Sequence, residues 1–474
     1  MNVDHEAPGA YEDLGRTGES EPIRRVLVFT IVGLGLIMTS VDSTIVATAL
    51  HTLQHELQAS INWVGWTITA YSLGFVLMLP LSGKLSERYG CRKVFLGSVA
   101  VFTVASLACG LANNIYVLIA LRAVQAGGGA GFTPSATGII VEHFGDERDR
   151  AVGLFGSIFS VGAMIGPIFG GLFVSYWTWR GIFFVNVPIG VAVILLALRY
   201  VPHDRPAARE VQTKTDTFGM TLLGIGLFAG MLAASYLGET NADPASLFFI
   251  APSIMSIAAI WMFFHHINRS TNPFIAPLLI HGPGFGAVNL INGLYGGITA
   301  GVVALVPLYA TNRYGFNALD SATLLIAEGV AAVVLSVVAA LIIRRSGYRL
   351  PLYVGGVVIA IGTLLLAVSP PFGLSPYAWL AISAFLVGAG AGAINPASRN
   401  AGLQLEPEQS STLAALRSMF MQLGTIAIVT VATAILASSK SPGVMQAWIF
   451  VAAAGLLIVI LPLIARVPEH HGSW

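Results

Sequence analysis

Fourteen times in 474 residues the chain runs apolar for about twenty residues, and this repetition limits its possible folds more than any other feature. In hydrocarbon every backbone N–H and C=O must find its partner within the segment, so an apolar run of roughly 17–25 residues becomes a membrane-spanning helix. The runs lie near 26–50, 62–82, 92–111, 115–138, 151–174, 182–201, 218–237, 247–266, 285–309, 318–343, 351–369, 376–395, 412–437 and 444–466. Only 10% of the residues are charged, against about 25% in a soluble domain. The expectation is an all-α polytopic membrane protein.

Positive charge is retained on the cytoplasmic side during insertion. Alternate loops hold 19 Lys and Arg on one side, against Arg180, Arg313 and Lys440 on the other. Both termini are therefore predicted to be cytosolic, with residues 1–25 a disordered tail and 467–474 a short one. Nothing in the acidic first segment reads as a secretory signal.

Several classes of activity find no support. The net charge of +1 provides no basic face for nucleic acid. Gly83-Lys84 is followed by Leu85, so it is not a phosphate-binding loop, and ATP is not the expected energy source. Cys91 and Cys109 lie a helix apart and cannot bridge. His265 and His266 read as solvated residues at a span end, because no further metal ligands accompany them. No enzyme, cofactor or metal is expected.

The segments of 285–466 repeat the order of those in 26–201, with GKLSERYGCRK after the second span echoed by ALIIRRSGYR after the tenth. This predicts two homologous six-helix bundles. The pair at 218–266 is then an insertion, reached through the polar linker 202–217.

Charges inside spans need a reason. At ~1.5 Å rise per residue, Asp42, Arg122 and Glu328 lie roughly 12, 10 and 15 Å from the outer ends of their helices, in one layer. An unpaired carboxylate there costs several kcal/mol, so it faces a wet cavity, pairs with a cation or takes up a proton. For Asp42 the alternatives are a coupling or substrate role and a permanent pair with Arg122. For Glu328 they are a proton or cation site and a satisfied packing residue. Arg417, one turn into its span, is expected near the headgroups.

Span five carries Gly153-x8-Gly162-x3-Gly166-Pro167-x2-Gly170-Gly171. Small residues let helices approach closely and Pro permits a bend. Gly83, Glu87, Arg88, Gly90, Arg92 and Lys93 form a glycine-spaced charged cluster after span two. Val41-Asp42-Ser43-Thr44, Leu118-x3-Arg122-x2-Gln125 and Trp179-Arg180-Gly181 through Asn186-Val187-Pro188 complete the set. Together these patterns resemble the major facilitator superfamily, and within it the fourteen-spanner drug:proton antiporters, over residues 26–466. Ala47, His51, Glu87 and Gly181 stand where that family usually has Asn, Pro, Asp and an aromatic residue.

The resemblance implies a major facilitator fold of 6 + 2 + 6 transmembrane helices in two pseudo-symmetric bundles around a cavity. It further implies a monomer in the bacterial inner membrane that exports hydrophobic or cationic molecules in exchange for protons. Asp42, Glu328 and Arg122 would couple protons. Asp42, Glu328, Gln125, Trp66, Tyr71, Asn289, Asn292 and Tyr295 would be candidates to bind substrate, the aromatic rings by stacking on a flat cation. The span-five glycines would pack the antiporter core, and the charged cluster would latch the bundles on the cytoplasmic side through ion pairs and a helix end. Rival readings are an exporter of an endogenous metabolite or lipid, a proton-driven importer, and a transport-dead receptor or scaffold.

Overall fold

The computed structural model describes residues 21–471 apart from 60, 205–215, 238–241, 272, 274, 317, 372, 438 and 440. Most of the expected linker and N-terminal tail, and the end of the C-terminal tail, thus lie outside the described residues. Thirteen described segments are helical, long and apolar enough to cross a membrane, and Thr217–Ala233 is a shorter apolar helix. No β-strand occurs among the described residues.

The first bundle consists of α1 (Glu21–Ile45), α2 (Ile61–Tyr89), α3 (Cys91–Leu111), α4 (Ile115–His143), α5 (Arg148–Tyr176) and α6 (Gly181–Tyr200). Next come α7 (Thr217–Leu237) and α8 (Leu247–Arg269). The second bundle consists of α9 (Phe285–Tyr314), α10 (Ala318–Ser346), α11 (Arg349–Ala367), α12 (Pro376–Leu403), α13 (Ser410–Ala437) and α14 (Pro442–Ile460).

Two boundaries differ from expectation in ways that matter below. Helix α2 continues to Tyr89, so Gly83 to Arg88 form its last turns and the connection to α3 is Gly90 alone. Helix α12 passes through Pro396 and runs on to Leu403. Proline removes one ladder hydrogen bond, and Asn400 Nδ2 adds a side-chain bond one turn later by donating to the Pro396 carbonyl at 3.0 Å.

The internal repeat extends to atomic detail. Gly90 and Gly347 precede the third helix of their bundles with φ of 97° and 67°, a region open mainly to glycine. An acid beyond the sixth helix then caps each third helix. Asp204 accepts from Arg92 N at 2.7 Å and Lys93 N at 3.3 Å, and Glu469 accepts from Tyr348 N at 2.7 Å and Arg349 N at 3.4 Å. Arg92 reaches the Leu198 carbonyl and Arg349 the Val467 carbonyl, at 2.7 and 2.8 Å. These turns gather the basic loops at one end of the molecule, the basic end.

The first and fifth helices of each bundle meet through small residues. Gly162 and Gly166 face Ser40 and Thr44 of α1, and Ser40 Oγ donates to the Phe159 carbonyl at 2.7 Å. In the second bundle Gly297 faces Gly424. A Cβ at Gly162 would sit 2.5 Å from Ser40 Cβ, whereas one at Gly171 meets nothing within 4 Å. Gly162→Val is therefore expected to cost about 1–3 kcal/mol of stability by overpacking, and Gly171→Ala close to nothing. Thermal unfolding of the purified variants in detergent reads the contrast.

The pair α7/α8 packs on itself and touches α2 and α13 from outside. Only 11% of the apolar window of α8 is buried, with Phe248, Ile257 and Trp261 turned outward, as suits a helix facing lipid.

Candidate functional site

Inside the first bundle, five helices converge on one polar cluster. Arg122 Nη1 of α4 donates to Asp42 Oδ2 of α1 and to Gln125 Oε1, each at 2.7 Å. Gln125 Nε2 and Asn186 Nδ2 both donate to Asp42 Oδ1, at 2.9 and 3.0 Å, and both donate to Ser106 Oγ of α3 at 3.0 Å. The Tyr71 ring of α2 lies 4.1 Å from the guanidinium carbon. Asp42 and Arg122 are 0% and 1% exposed.

Of the two alternatives open for Asp42, the geometry here is the closed pair. Its carboxylate accepts three hydrogen bonds and is absent from the cavity wall, as is Gln125. Buried ion pairs persist when their remaining hydrogen-bonding groups are also satisfied, and Gln125, Asn186 and Ser106 do that here.

Between the bundles lies a cavity of about 470 Å³, with a smaller arm of about 210 Å³. The two share Ser43, Phe159, Ser160, Asn395, Arg417, Met421 and Gln422. This size suits a drug-like molecule. Glu328 of α10 lies on its wall, the only carboxyl among the described lining residues. Its carboxyl makes no hydrogen bond or ion pair with any described residue. Opposite sit Asn292 and Tyr295 in a π-helical turn of α9, Asn292–Gly296. Such turns widen a helix locally and recur at functional sites.

The remaining candidates divide. Tyr295 presents its ring to the cavity while its hydroxyl donates to the Leu457 carbonyl at 3.0 Å. Tyr71 lines the smaller arm. Asn289, expected as a polar substrate contact, instead donates to the Leu279 and Ile280 carbonyls at 2.8 and 3.1 Å and ties down a short helix. Trp66 is half-buried away from the cavity lining. Of the span-five glycines, Gly153 packs against Pro396 and Ala340 of the second bundle. Gly170 is buried, and the Pro167 side chain lies outside the described residues.

Arg417 differs from expectation. It is buried in the cavity wall, where it donates to Asn395 and Ser398 of α12. The span expected at 376–395 puts Arg399 among the loop residues. The continued helix carries it into the smaller arm.

At the basic end two clasps join the bundles, related by the internal repeat. Glu87 Oε1 accepts from Thr412 N at 3.1 Å, capping the start of α13, and Gly83 lets α2 approach Thr412 Cα. Asp149 at the start of α5 takes Arg344 in a two-pronged bond, 3.2 Å on each prong, and its carbonyl accepts from Asn400 Nδ2 at 2.9 Å. Arg92 and Lys93 serve within their own bundle, as described above. Arg88 stacks on Tyr89 at 5.2 Å.

Cys91 Sγ lies 3.4 Å from Ser411 Oγ across the same seam, and Cys109 is fully buried. Breaking the partly buried Arg344 bond by Asp149→Ala removes ~1.4 kcal/mol or more, so maleimide labelling of Cys91 is expected to quicken roughly tenfold. Cys109 labelling stays slow and serves as the internal control.

Comparison with known proteins agrees with this architecture. The family model described as Major Facilitator Superfamily matches residues 32–220 and 217–428. Multidrug resistance protein 3 of Bacillus subtilis is 28% identical over 416 residues, covering 85% of this chain and 79% of that one. A Multidrug resistance protein B homolog of Mycobacterium tuberculosis is 30% identical over 401 residues, covering 82% and 72%. The Methylenomycin A resistance protein of Streptomyces coelicolor is 28% identical over 402 residues, covering 84% and 82%. Among solved structures, the human organic anion transporter MFSD10 superimposes with a TM-score of 0.67 at 16% identity, covering 93% and 99%. The proton:xylose symporter XylE does so with 0.66 at 13%, covering 96% and 98%. Both show the fold alone. With two helical bundles related by an internal repeat, a cavity between them and a family match along most of its length, this multi-pass membrane chain belongs to the Major Facilitator Superfamily.

Proposed function

We propose that the chain is a fourteen-span, proton-coupled antiporter, not an enzyme, that expels hydrophobic small molecules from a bacterial cell by alternating access. It works as a monomer in the inner membrane with both termini cytosolic. The observation that carries the reading is Glu328, a carboxyl with no hydrogen-bond or ion-pair partner among the described residues, on the wall of the cavity between the bundles. A proton and a basic group on the substrate compete for that carboxyl, so whichever is bound excludes the other. Two loaded forms that cross and an empty, charged form that does not are sufficient for exchange.

In this reading the basic end is cytoplasmic, and the clasps at Glu87 and Asp149 hold that side shut. Opening them admits cargo, and closing them commits it to the outer face. Asp42 and Arg122 act as the strut that keeps the first bundle rigid during the rocking motion. Multidrug and antibiotic resistance in the names of three relatives supports efflux as the direction. Met164, Met421, Ile291, Ile359 and Ile394, with the rings of Phe159 and Tyr295, give the cavity apolar surface that suits apolar cargo.

Proteoliposomes with an imposed pH gradient test the scheme. Dye export is expected to follow the gradient and collapse when a proton ionophore removes it. Export indifferent to the gradient would overturn the coupling and leave a facilitator.

A further inference from the structure

Two arginines in the cavity have no carboxylate of their own. Arg399 of α12 and Arg417 of α13 are 7% and 9% exposed, and both line the smaller arm. Arg399 Nε and Arg417 Nη2 donate to the same atom, Asn395 Oδ1, at 2.8 and 3.3 Å, and Arg417 Nη2 also donates to Ser398 Oγ at 3.0 Å. A guanidinium offers five N–H donors, so most of the donors in the pair are unspent. Arg417 Nε is buried with no acceptor among the described residues.

By contrast, Arg122 is matched by Asp42 and Arg344 by Asp149. No carboxylate lies within ion-pair distance of Arg399 or Arg417 among the described residues. Two cations sharing one neutral oxygen repel each other, and each is costly to keep from water without a counter-charge. A planar oxyanion placed between them relieves both costs, because the guanidinium fork fits a carboxylate by two parallel hydrogen bonds. Tyr71 and Phe159 flank the arm, so an aromatic acid finds apolar surface beside the charges.

We propose that Arg399 and Arg417 form a subsite for an acidic group, a carboxylate or an ionised phenol or enol, on the exported molecule. Glu328 stands on the wall of the same connected cavity with the opposite sign. The preferred cargo is therefore amphoteric: an apolar body with a basic group for Glu328 and an acidic group for the arginines. The subsite rests on the proposed export through this cavity and names the class of substrate it selects.

Rhodamine 110 and its methyl ester, rhodamine 123, share one aromatic cation and differ in a free against a blocked carboxylate. Binding of each to the full chain in nanodiscs is read by fluorescence anisotropy. The free acid is expected to bind about tenfold more tightly than the ester or better, the usual gain from hydrogen bonds to a charged group. Arg399→Gln and Arg417→Gln each bring the ratio close to one, chiefly by weakening the free acid, and Arg417→Lys keeps part of the preference. Monodisperse elution and a cooperative thermal unfolding transition show that a variant is folded.

Equal binding of the two dyes by the parent protein would overturn the subsite, as would a preference that survives the double Arg→Gln change. An acid advantage seen only after chloride is replaced by gluconate would mark the pair as an inorganic-anion site and would also overturn it. Gradient-driven ester export without acid preference removes the subsite alone. Acid preference in a protein whose transport ignores the pH gradient removes the antiport reading alone.

Discussion

Protein carrying Glu328→Gln is expected to bind an apolar dye and exchange it across the membrane in counterflow, yet to lose pH-gradient-driven export by roughly 100-fold, the upper range of site-to-site coupling. The amide has the size of the protonated acid but cannot release a proton, so the form that must unload protons is frozen in its loaded state. Counterflow needs only the cargo-bound transitions and survives. Export by the variant becomes indifferent to pH, and Glu328→Asp, which restores a titratable carboxyl one methylene back, recovers a measurable share. Gradient-driven export undiminished in Glu328→Gln would remove Glu328 from the coupling step. Because this carboxyl makes no hydrogen bond or ion pair with a described side chain, the folded state is expected to tolerate the change.

Asp42→Asn is expected to behave in the opposite manner, costing ~3 kcal/mol or more in stability, the usual result of stripping one partner from a buried ion pair. Arg122 would be left charged at 1% exposure, with its best acceptor replaced by a neutral amide and the Gln125, Asn186 and Ser106 bonds forced to rearrange. Detergent-solubilised Asp42→Asn should therefore unfold at a markedly lower temperature. The double change Asp42→Asn with Arg122→Gln should recover much of the loss, since it removes both charges together. Coupled export by whatever fraction of the double variant folds would confirm the pair as a strut. A stable Asp42→Asn protein that transports without the gradient would instead make Asp42 a coupling acid.

These two acids show how far sequence carries and where it stops. Length and hydropathy demanded membrane helices, since hydrocarbon leaves the backbone no other way to satisfy itself. The two short basic turns revealed the internal repeat, and the structure extends that echo to Gly90 with Asp204 and Gly347 with Glu469. Depth along each helix placed Asp42, Arg122 and Glu328 in one layer. Depth says nothing about azimuth, however, and azimuth separates a carboxylate sealed among five helices from one that faces the cavity.

The same reason accounts for the misplaced arginines. The span expected at 376–395 leaves Arg399 in a loop, and Arg417 is placed only by its distance from a helix end. Helix α12 continues through Pro396 to Leu403, and its last two turns bring Arg399 into the arm that Arg417 also lines. The sequence by itself determined the solvent, the helical class, the bundle repeat and which residue types carry charge inside it, because each follows from local composition or from one-dimensional order. Only the tertiary structure decided which charges neutralise one another and which remain on the cavity wall. Such pairing depends on the rotation and contact of helices whose partners lie 80 or more residues away.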